Sequence, residues 1–388
     1  VTEPDWAQWT EGGELRRARW RSERGAPPPR EIVVVDDRMT ANDAYGRACQ
    51  GVGLLWRGDF QNARQMLTAL ATRVDRSGRR RKPAQNLADA FNLERQARSQ
   101  RARTLGMLLM PLEADYAIPL RRAPDWRAAC AEAYGPADGP SLVTLRELLG
   151  VVGAHEWRIN GIELAALGGR IHPHYGVFAP TRSEYVDLVA TAPLPAALDH
   201  CNLAFDVGTG TGVLAALLAR RGVASVVATD QDPRALDCAR ENVARLGFGD
   251  RVDVVEADLF PPGRAALVVC NPPWVPARPA SPLEHGIYDA DSRMLKGFLA
   301  GLHDHLVPGG EGWLILSDLA EHLGLRTREA LLAWIEGARL RVVDRLDAKP
   351  RHPRVADRAD PLHVARTREV TSLWRLAVNS HDATPIAP

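Results

Sequence analysis

Two rhythms of apolar and polar positions divide this chain of 388 residues. In the first third, Met66, Leu67, Leu70 and Val74 recur at helical spacing and make one apolar stripe. A second helix is expected from about Asn86 to Met110, where Pro111 would stop it. Thr40 with Asp43 three residues on reads as a helix start, and Glu31–Val35 as a short strand. The first thirty residues are charged, carry tryptophans and end in Ala26-Pro27-Pro28-Pro29, a composition that predicts a flexible arm over 1–30. Residues 31–135 then read as a mainly helical domain. Gly135-Pro136-Ala137-Asp138-Gly139-Pro140 marks a linker, and 136–182 is expected to hold that linker, a short helix over Leu142–Leu149 and connecting strands over Glu156–Ala166.

From about residue 183 the pattern changes to short β-branched runs alternating with helical stretches. The expected strands are Leu203–Val207, Ser225–Thr229, Val252–Glu256, Ala266–Cys270, Gly312–Leu316, Arg341–Leu346 and Ser372–Val378. Helical patterns between the first six predict a mostly parallel α/β sheet with helices on both faces over 183–379. The last run follows a loop with no evident helix, so it should return antiparallel. Residues 380–388 read as a disordered tail.

Bulk composition removes some alternatives. The net charge is +1, with 45% hydrophobic residues, so nothing global points to nucleic acid. No apolar run reaches the length of about 18 residues that a membrane span needs, and the N-terminal residues lack a signal-peptide core. Five cysteines with no Cys-x-x-Cys argue against a disulfide framework or a zinc site. A reducing cytoplasm and no membrane partner are the expectation. His172/His174 and His303/His305 lie close in sequence, but nothing nearby completes a ligand set, so no metal is expected.

Chemistry concentrates at the ends of the first four predicted strands. Asp206-Val207-Gly208-Thr209-Gly210-Thr211-Gly212 follows a strand and opens a helix. Gly208, Gly210 and Gly212 allow a tight turn and close approach of a ligand to the backbone around Thr209. The spacing is one residue shorter than the dinucleotide fingerprint, which weakens a pyrophosphate reading. Asp230 ends the second strand, where a carboxylate can accept both hydroxyls of a ribose. Asp258 lies just past the third, where it can accept from an adenine amine while Leu259 packs on the ring. Taken singly, these residues are a turn and helix caps. Together they suit a ligand with positive charge, hydroxyls and an adenine, which describes S-adenosylmethionine.

Asn271-Pro272-Pro273-Trp274 ends the fourth strand, at the switch point of the sheet. An amide or aromatic amine is a poor nucleophile because its lone pair is delocalised. The Asn271 side-chain oxygen and the Pro272 carbonyl can each accept one N–H, which aims that lone pair at a methyl donor. Pro272 and Pro273 stiffen the loop, and Trp274 offers a flat face for a planar group. These four are the candidate catalytic residues.

Asp206–Gly212, Ala228-Thr229-Asp230, Pro233-Arg234-Ala235-Leu236, Ala239-Arg240-Glu241-Asn242, Asp258-Leu259-Phe260 and Asn271–Trp274 together resemble the class I S-adenosylmethionine-dependent methyltransferases with an Asn-Pro-Pro-Tyr-type motif. Within that class the chain is most similar in look to the HemK-type protein-glutamine methyltransferases. Phe178–Val189 and Tyr288–Phe298 are similar to their segments before the first strand and after the motif. The resemblance covers roughly residues 170–380. It implies a Rossmann-like seven-stranded, mostly parallel sheet, S-adenosylmethionine as cofactor, and Glu184 near that cofactor. It also implies N-methylation of a macromolecular acceptor, either a protein glutamine or an exocyclic amine of adenine or guanine in RNA or DNA; a non-methylating use of S-adenosylmethionine in secondary metabolism, or a binding module for it, is the remoter alternative. Trp274 stands where Tyr or Phe is commoner, and the first 135 residues do not resemble the small helical domain of HemK enzymes.

Two segments bear on that choice. Residues 73–103 carry ten Lys and Arg against three acids, on a predicted helix and the Arg79-Arg80-Arg81-Lys82 run before it, an arrangement able to track phosphates or to make an ordinary solvated face. Lys349–Arg368, rich in Arg, His and Pro, leaves the rim of the sheet where the candidate site lies, and reads as a substrate-gripping loop or a surface hairpin.

Overall fold

The computed structural model describes residues 5–78, 84–279, 282–351 and 357–379. The Arg79–Lys82 run and the tail over 380–388 lie outside them. The chain divides into two compact units, Val1–Glu156 and Trp157–Pro388.

The first unit is built on a sheet. Its strands are β1 (Trp6–Glu11), β2 (Glu14–Arg21), β3 (Glu31–Val35), β4 (Val52–Trp56), β5 (Leu108–Leu112) and β6 (Ser141–Thr144), in spatial order β1-β2-β6-β5-β4-β3. Helices α1 (Ala41–Cys49), α2 (Phe60–Gly78), α3 (Leu87–Leu105) and α4 (Arg127–Tyr134) connect them, and α5 (Leu145–Asn160) carries the chain out of the unit. Thr40 caps α1 by accepting from the Asp43 amide, as the spacing predicts.

Four expectations for this region are corrected. The described part of 1–30 is not an arm: over Trp6–Arg21, β1 and β2 form an antiparallel hairpin turned at Gly12 and Gly13, both with positive φ. Alternation buries Ala7, Trp9, Ala18 and Trp20 against Ile32, Leu55, Leu109 and Leu142. The segment 31–135 is not mainly helical, because Val52–Trp56 and Leu108–Leu112 are fully buried strands whose continuous apolar runs carry no period. Pro111 does not end a helix but lies inside β5, past the last residues that pair with β4 and opposite Leu142 of β6. The boundary also moves: β6 and most of α5 belong to the first unit, not to a linker over 136–182, and Glu156 ends it.

Much of the basic charge on α2 and α3 has local partners. Arg73 donates to Asn42 and the Ala69 carbonyl, Arg98 pairs with Glu94 and Arg101 with Asp75.

The second unit follows its expected topology. After the small hairpin of β7 (Ile162–Leu164) and β8 (Gly169–Ile171) comes α6 (Glu184–Thr191). The strands are β9 (Leu203–Val207), β10 (Ser225–Asp230), β11 (Val252–Glu256), β12 (Ala265–Cys270), β13 (Leu306–Ser317), β14 (Leu340–Ala348) and β15 (Thr371–Val378). They form one seven-stranded sheet in the order β11-β10-β9-β12-β13-β15-β14, with β15 antiparallel to both neighbours. Helices α6, α7 (Val213–Arg220) and α8 (Pro233–Arg245) pack one face around Val226, Val269 and Ile315. On the other face α9 (Arg293–His305) and α11 (Arg328–Gly337) cover Val268, Leu314 and Leu376. Short α10 (Leu319–His322) and α12 (His363–Arg368) follow β13 and precede β15. The order reverses between β9 and β12, so their carboxyl ends form the crevice where such sheets bind ligands. Among the described residues no helix is long and apolar enough to cross a membrane.

The hairpin assignment is open to direct test. Trp20 is buried and its indole donates to the Ala26 carbonyl at 2.7 Å. Trp20→Ala should lower the stability of the first unit by about 3–5 kcal/mol, read as lost hydrogen-exchange protection in β5 and β6. A loose arm would leave protection within about 0.5 kcal/mol of wild type.

Candidate active site

The site begins with a buried acid. Asp206, the fourth residue of β9, is 1% exposed. Its Oδ2 accepts from Thr209 Oγ1 at 2.6 Å and from the Ala215 amide at 3.0 Å, which ties the strand, the glycine loop and the first turn of α7 together. Its Oδ1 is buried without a partner. Burial pushes the Asp206 carboxyl up to about 6, against the two hydrogen bonds that lower it, with the Asp230 charge raising it further.

The loop needs its glycines at two points above all. Gly212 has φ +79°, and a Cβ there would lie 3.1 Å from Ala239 Cα on α8. Gly208 has φ +71°, and a Cβ would meet the Met294 methyl. From β10, the Thr229 carbonyl accepts the Thr209 amide at 2.8 Å, and Asp230 Oδ2 accepts the Gly210 amide at 3.0 Å. Asp230 Oδ1 accepts from the Asp232 amide, and the Gln231 amide also bonds to this carboxylate. Burial raises the Asp230 carboxyl.

Of the other predicted cofactor residues, Leu259 is joined to β10 by Thr229 Oγ1, which donates to its carbonyl at 2.5 Å, and it takes φ +73°. Asp258 stands apart from the buried acids: its side chain is 66% exposed and meets Gln231 and Arg293. Glu184, the first residue of α6, is 3% exposed, and its Oε1 has no partner. Both Glu184 and Asp206 act on Tyr185, whose hydroxyl is raised by burial first and then by these two charges.

The register of β12 on β9 pairs Cys270 with Val207, so Asn271 follows beside Gly208. Trp274 Nε1 donates to Asn271 Oδ1 at 2.8 Å. Its ring packs against the cores on both sheet faces, with the Arg182 guanidinium 5.6 Å from its centroid. Pro272 is buried and Pro273 half-buried. The loop continues to a bridge between Val275 and Tyr288, then to Asp289, whose two oxygens cap α9 by accepting the Met294 and Leu295 amides.

Motif reading missed several residues here. Arg182 Nη1 donates to Glu369 Oε1 at 2.8 Å, and Ser317 Oγ donates to the same oxygen at 2.7 Å. Glu369 lies between α12 and β15, in register with neither motif. Asn242 is fully buried on α8, donates to the Thr211 carbonyl and accepts the His172 amide, which holds the glycine loop from below. Of the two histidine pairs noted in the sequence, His172 meets the Arg158 carbonyl, His174 meets Glu241, His303 meets Asp304 and His305 meets the Gly301 carbonyl. Among the described residues no group of three His, Cys, Asp or Glu is placed to hold a metal.

Part of this chain is similar to known proteins. Residues 168–328 match the family model described as methyltransferase small domain. The release factor glutamine methyltransferase of Cereibacter sphaeroides is 39% identical over 110 residues, covering 28% of this chain and 36% of that protein. The tRNA1(Val) (adenine(37)-N6)-methyltransferase of Shewanella amazonensis is 29% identical over 222 residues, 52% of this chain and 92% of that one. A S-adenosylmethionine-dependent methyltransferase from Thiobacillus denitrificans, solved with S-adenosyl-L-homocysteine, is 16% identical over 52% of this chain and 92% of its own, with a TM-score of 0.35. The chain spans only about a third to a half of the length of some curated relatives, 36% of one and 53% of another.

The unpartnered Asp206 oxygen generates a pH prediction. Below about pH 6 the carboxyl keeps its proton, and above it the negative charge is present for a cationic ligand. S-adenosylmethionine affinity, measured by calorimetry, should therefore rise about tenfold from pH 5 to pH 7, because the ionised fraction of a group titrating near 6 rises from about a tenth to about nine tenths. Asp206→Asn should flatten that rise; an unchanged slope in the variant would assign it to another group.

Proposed function

We propose that the second unit is an S-adenosylmethionine-dependent N-methyltransferase whose acceptor is the side-chain amide of a protein glutamine. The observation that supports the reading is the placement of the glycine loop that follows Asp206 beside Asn271-Pro272-Pro273-Trp274, with one oxygen each of the buried Asp206 and Glu184 carboxyl groups left without a partner. Leaving a buried polar atom unpaired costs about 1–3 kcal/mol, more for a charge. Glu184 Oε1 and Asp206 Oδ1 are thus matched to a cationic, hydrogen-bonding ligand, and Asp230 at the end of β10 is placed to receive ribose hydroxyls. These residues fit S-adenosylmethionine. When bound, it supplies a methyl group already activated by a sulfonium centre.

The chain's own contribution is then placement. Asn271 Oδ1 has one lone pair beyond the indole bond, and the Pro272 carbonyl provides a second acceptor, so the two hydrogens of an NH2 group can be held by fixed oxygens. Orientation supplies most of the acceleration, and the nitrogen becomes acidic as it is alkylated, so no strong general base is needed. The first unit is assigned the selection of the macromolecular acceptor.

A second reading has its own support: the relative aligned over 92% of its length is one named for adenine N6 in tRNA. An exocyclic amine of adenine or guanine presents the same planar NH2 group, so the two acceptors compete for one geometry.

Mutation separates the two halves of the site. Asn271→Ala should lower methyl transfer about 10²–10³-fold, the scale of one lost transition-state hydrogen bond, and leave S-adenosylhomocysteine affinity within about twofold. Asp230→Ala should weaken that affinity with the smaller effect on turnover at saturation. Normal transfer by Asn271→Ala would refute the amine-holding role. Tritiated methyl transfer into lysate from cells lacking the protein, followed by nuclease or protease, separates the acceptors: protease-sensitive label is expected, and nuclease-sensitive label would select the base.

A further inference from the structure

Trp274 does not stand as a free platform for the acceptor. One side of its indole faces the Arg182 guanidinium, the ring packs on both cores, and its only polar atom is engaged by Asn271. The indole Nε1–H is a donor and never an acceptor. The atom of Asn271 that it meets must therefore be the carboxamide oxygen, and the NH2 end must turn away. That choice decides whether Asn271 can work. An oxygen facing the acceptor can take its N–H, whereas a flipped carboxamide would set N–H against N–H.

The indole is in turn seated by a chain of buried and part-buried contacts. Arg182 lies over it within the range of a cation–π interaction. Glu369, 2% exposed, holds Arg182 through Oε1, and Ser317 at the end of β13 donates to the same oxygen. Glu369 Oε2 is buried without a partner. A buried ion pair with an unsatisfied oxygen is a poor way to gain stability, so its position is better explained by what Arg182 does. Arg182 also sits two residues before Glu184, so one short segment reaches the acceptor side and the cofactor side of the site together.

We propose that Trp274 is a positioning residue that sets the orientation of the Asn271 carboxamide, and that the Arg182–Glu369 pair seats its indole; the catalytic part of this proposal rests on the N-methyltransferase reading above. A phenyl or phenol ring at this position cannot donate from the indole nitrogen's place, so the device belongs to tryptophan. No bond is made or broken by these residues.

Two measurements on the full chain test it. In ¹H–¹⁵N spectra, the Trp274 indole resonance is identified by its absence in Trp274→Phe. Its hydrogen exchange should speed at least about tenfold in Asn271→Ala and in the isosteric Glu369→Gln, since each removes one link while leaving the ring. Exchange unchanged in both variants would overturn the chain of contacts, whatever the protein's activity. In methyl transfer, Trp274→Phe should lower kcat about tenfold with KM for the lysate acceptor and S-adenosylhomocysteine affinity little changed. Arg182→Lys, which keeps the charge, should retain more activity than Arg182→Met. Wild-type kcat in Trp274→Phe would overturn the orienting role. A wild-type protein that transfers no methyl group would defeat the functional reading instead, and the exchange data would still decide the contacts.

Discussion

The site hangs from the burial of one carboxylate. Asp206 is taken out of water at the end of β9, and its Oδ2 gathers the Thr209 hydroxyl and the Ala215 amide. Those two bonds bend the chain from strand to loop to helix within nine residues. The positive-φ glycines make that bend sterically possible, and the Gly210 amide then reaches Asp230 on the next strand. The desolvation that raises Asp206 also leaves its second oxygen without a partner, which suits a site awaiting a cationic ligand rather than a closed core.

The rest of the second unit serves that edge. Two apolar layers clamp the sheet, and they fix the registers of β9, β10 and β12 that bring Val207, Thr229 and Cys270 to one level. The glycine loop, Asp230 and Asn271 leave the sheet just beyond that level. Buried acids are otherwise sparse in these cores, yet Glu184, Asp206 and Glu369 each keep an unsatisfied oxygen in this unit. In the proposed reading Glu184 and Asp206 belong to the donor side, and Glu369 holds Arg182 beside Trp274 on the acceptor side.

Legibility in the sequence followed the range of the contacts. The seven strands of the second unit could be read because β-branched runs, helical periods and turn residues repeat locally and agree with one another. The glycine loop and Asn271–Trp274 were legible because short spacing and a strand end define them. In the first unit the same rules failed where local signal is ambiguous. Val52–Trp56 and Leu108–Leu112 are buried on both sides, and the Gly12-Gly13 turn lay in a segment whose composition suggested an arm. The Arg182–Glu369 pair joins residues 187 apart, and the exposure of Asp258 depends on where β10 and α9 put Gln231 and Arg293. No spacing rule reaches such contacts; only the folded sheet does.

The central claim is that this geometry delivers a methyl group to a planar nitrogen. The most direct measurement is to label an acceptor with isotopic methyl from S-adenosylmethionine, digest it, and identify the modified atom by mass spectrometry. One added methyl is expected on an NH2 nitrogen, in the glutamine side chain of a protein. Label on an oxygen, a carbon or a sulfur would contradict the account, because Asn271 and Pro272 would then be holding hydrogens that the acceptor does not have.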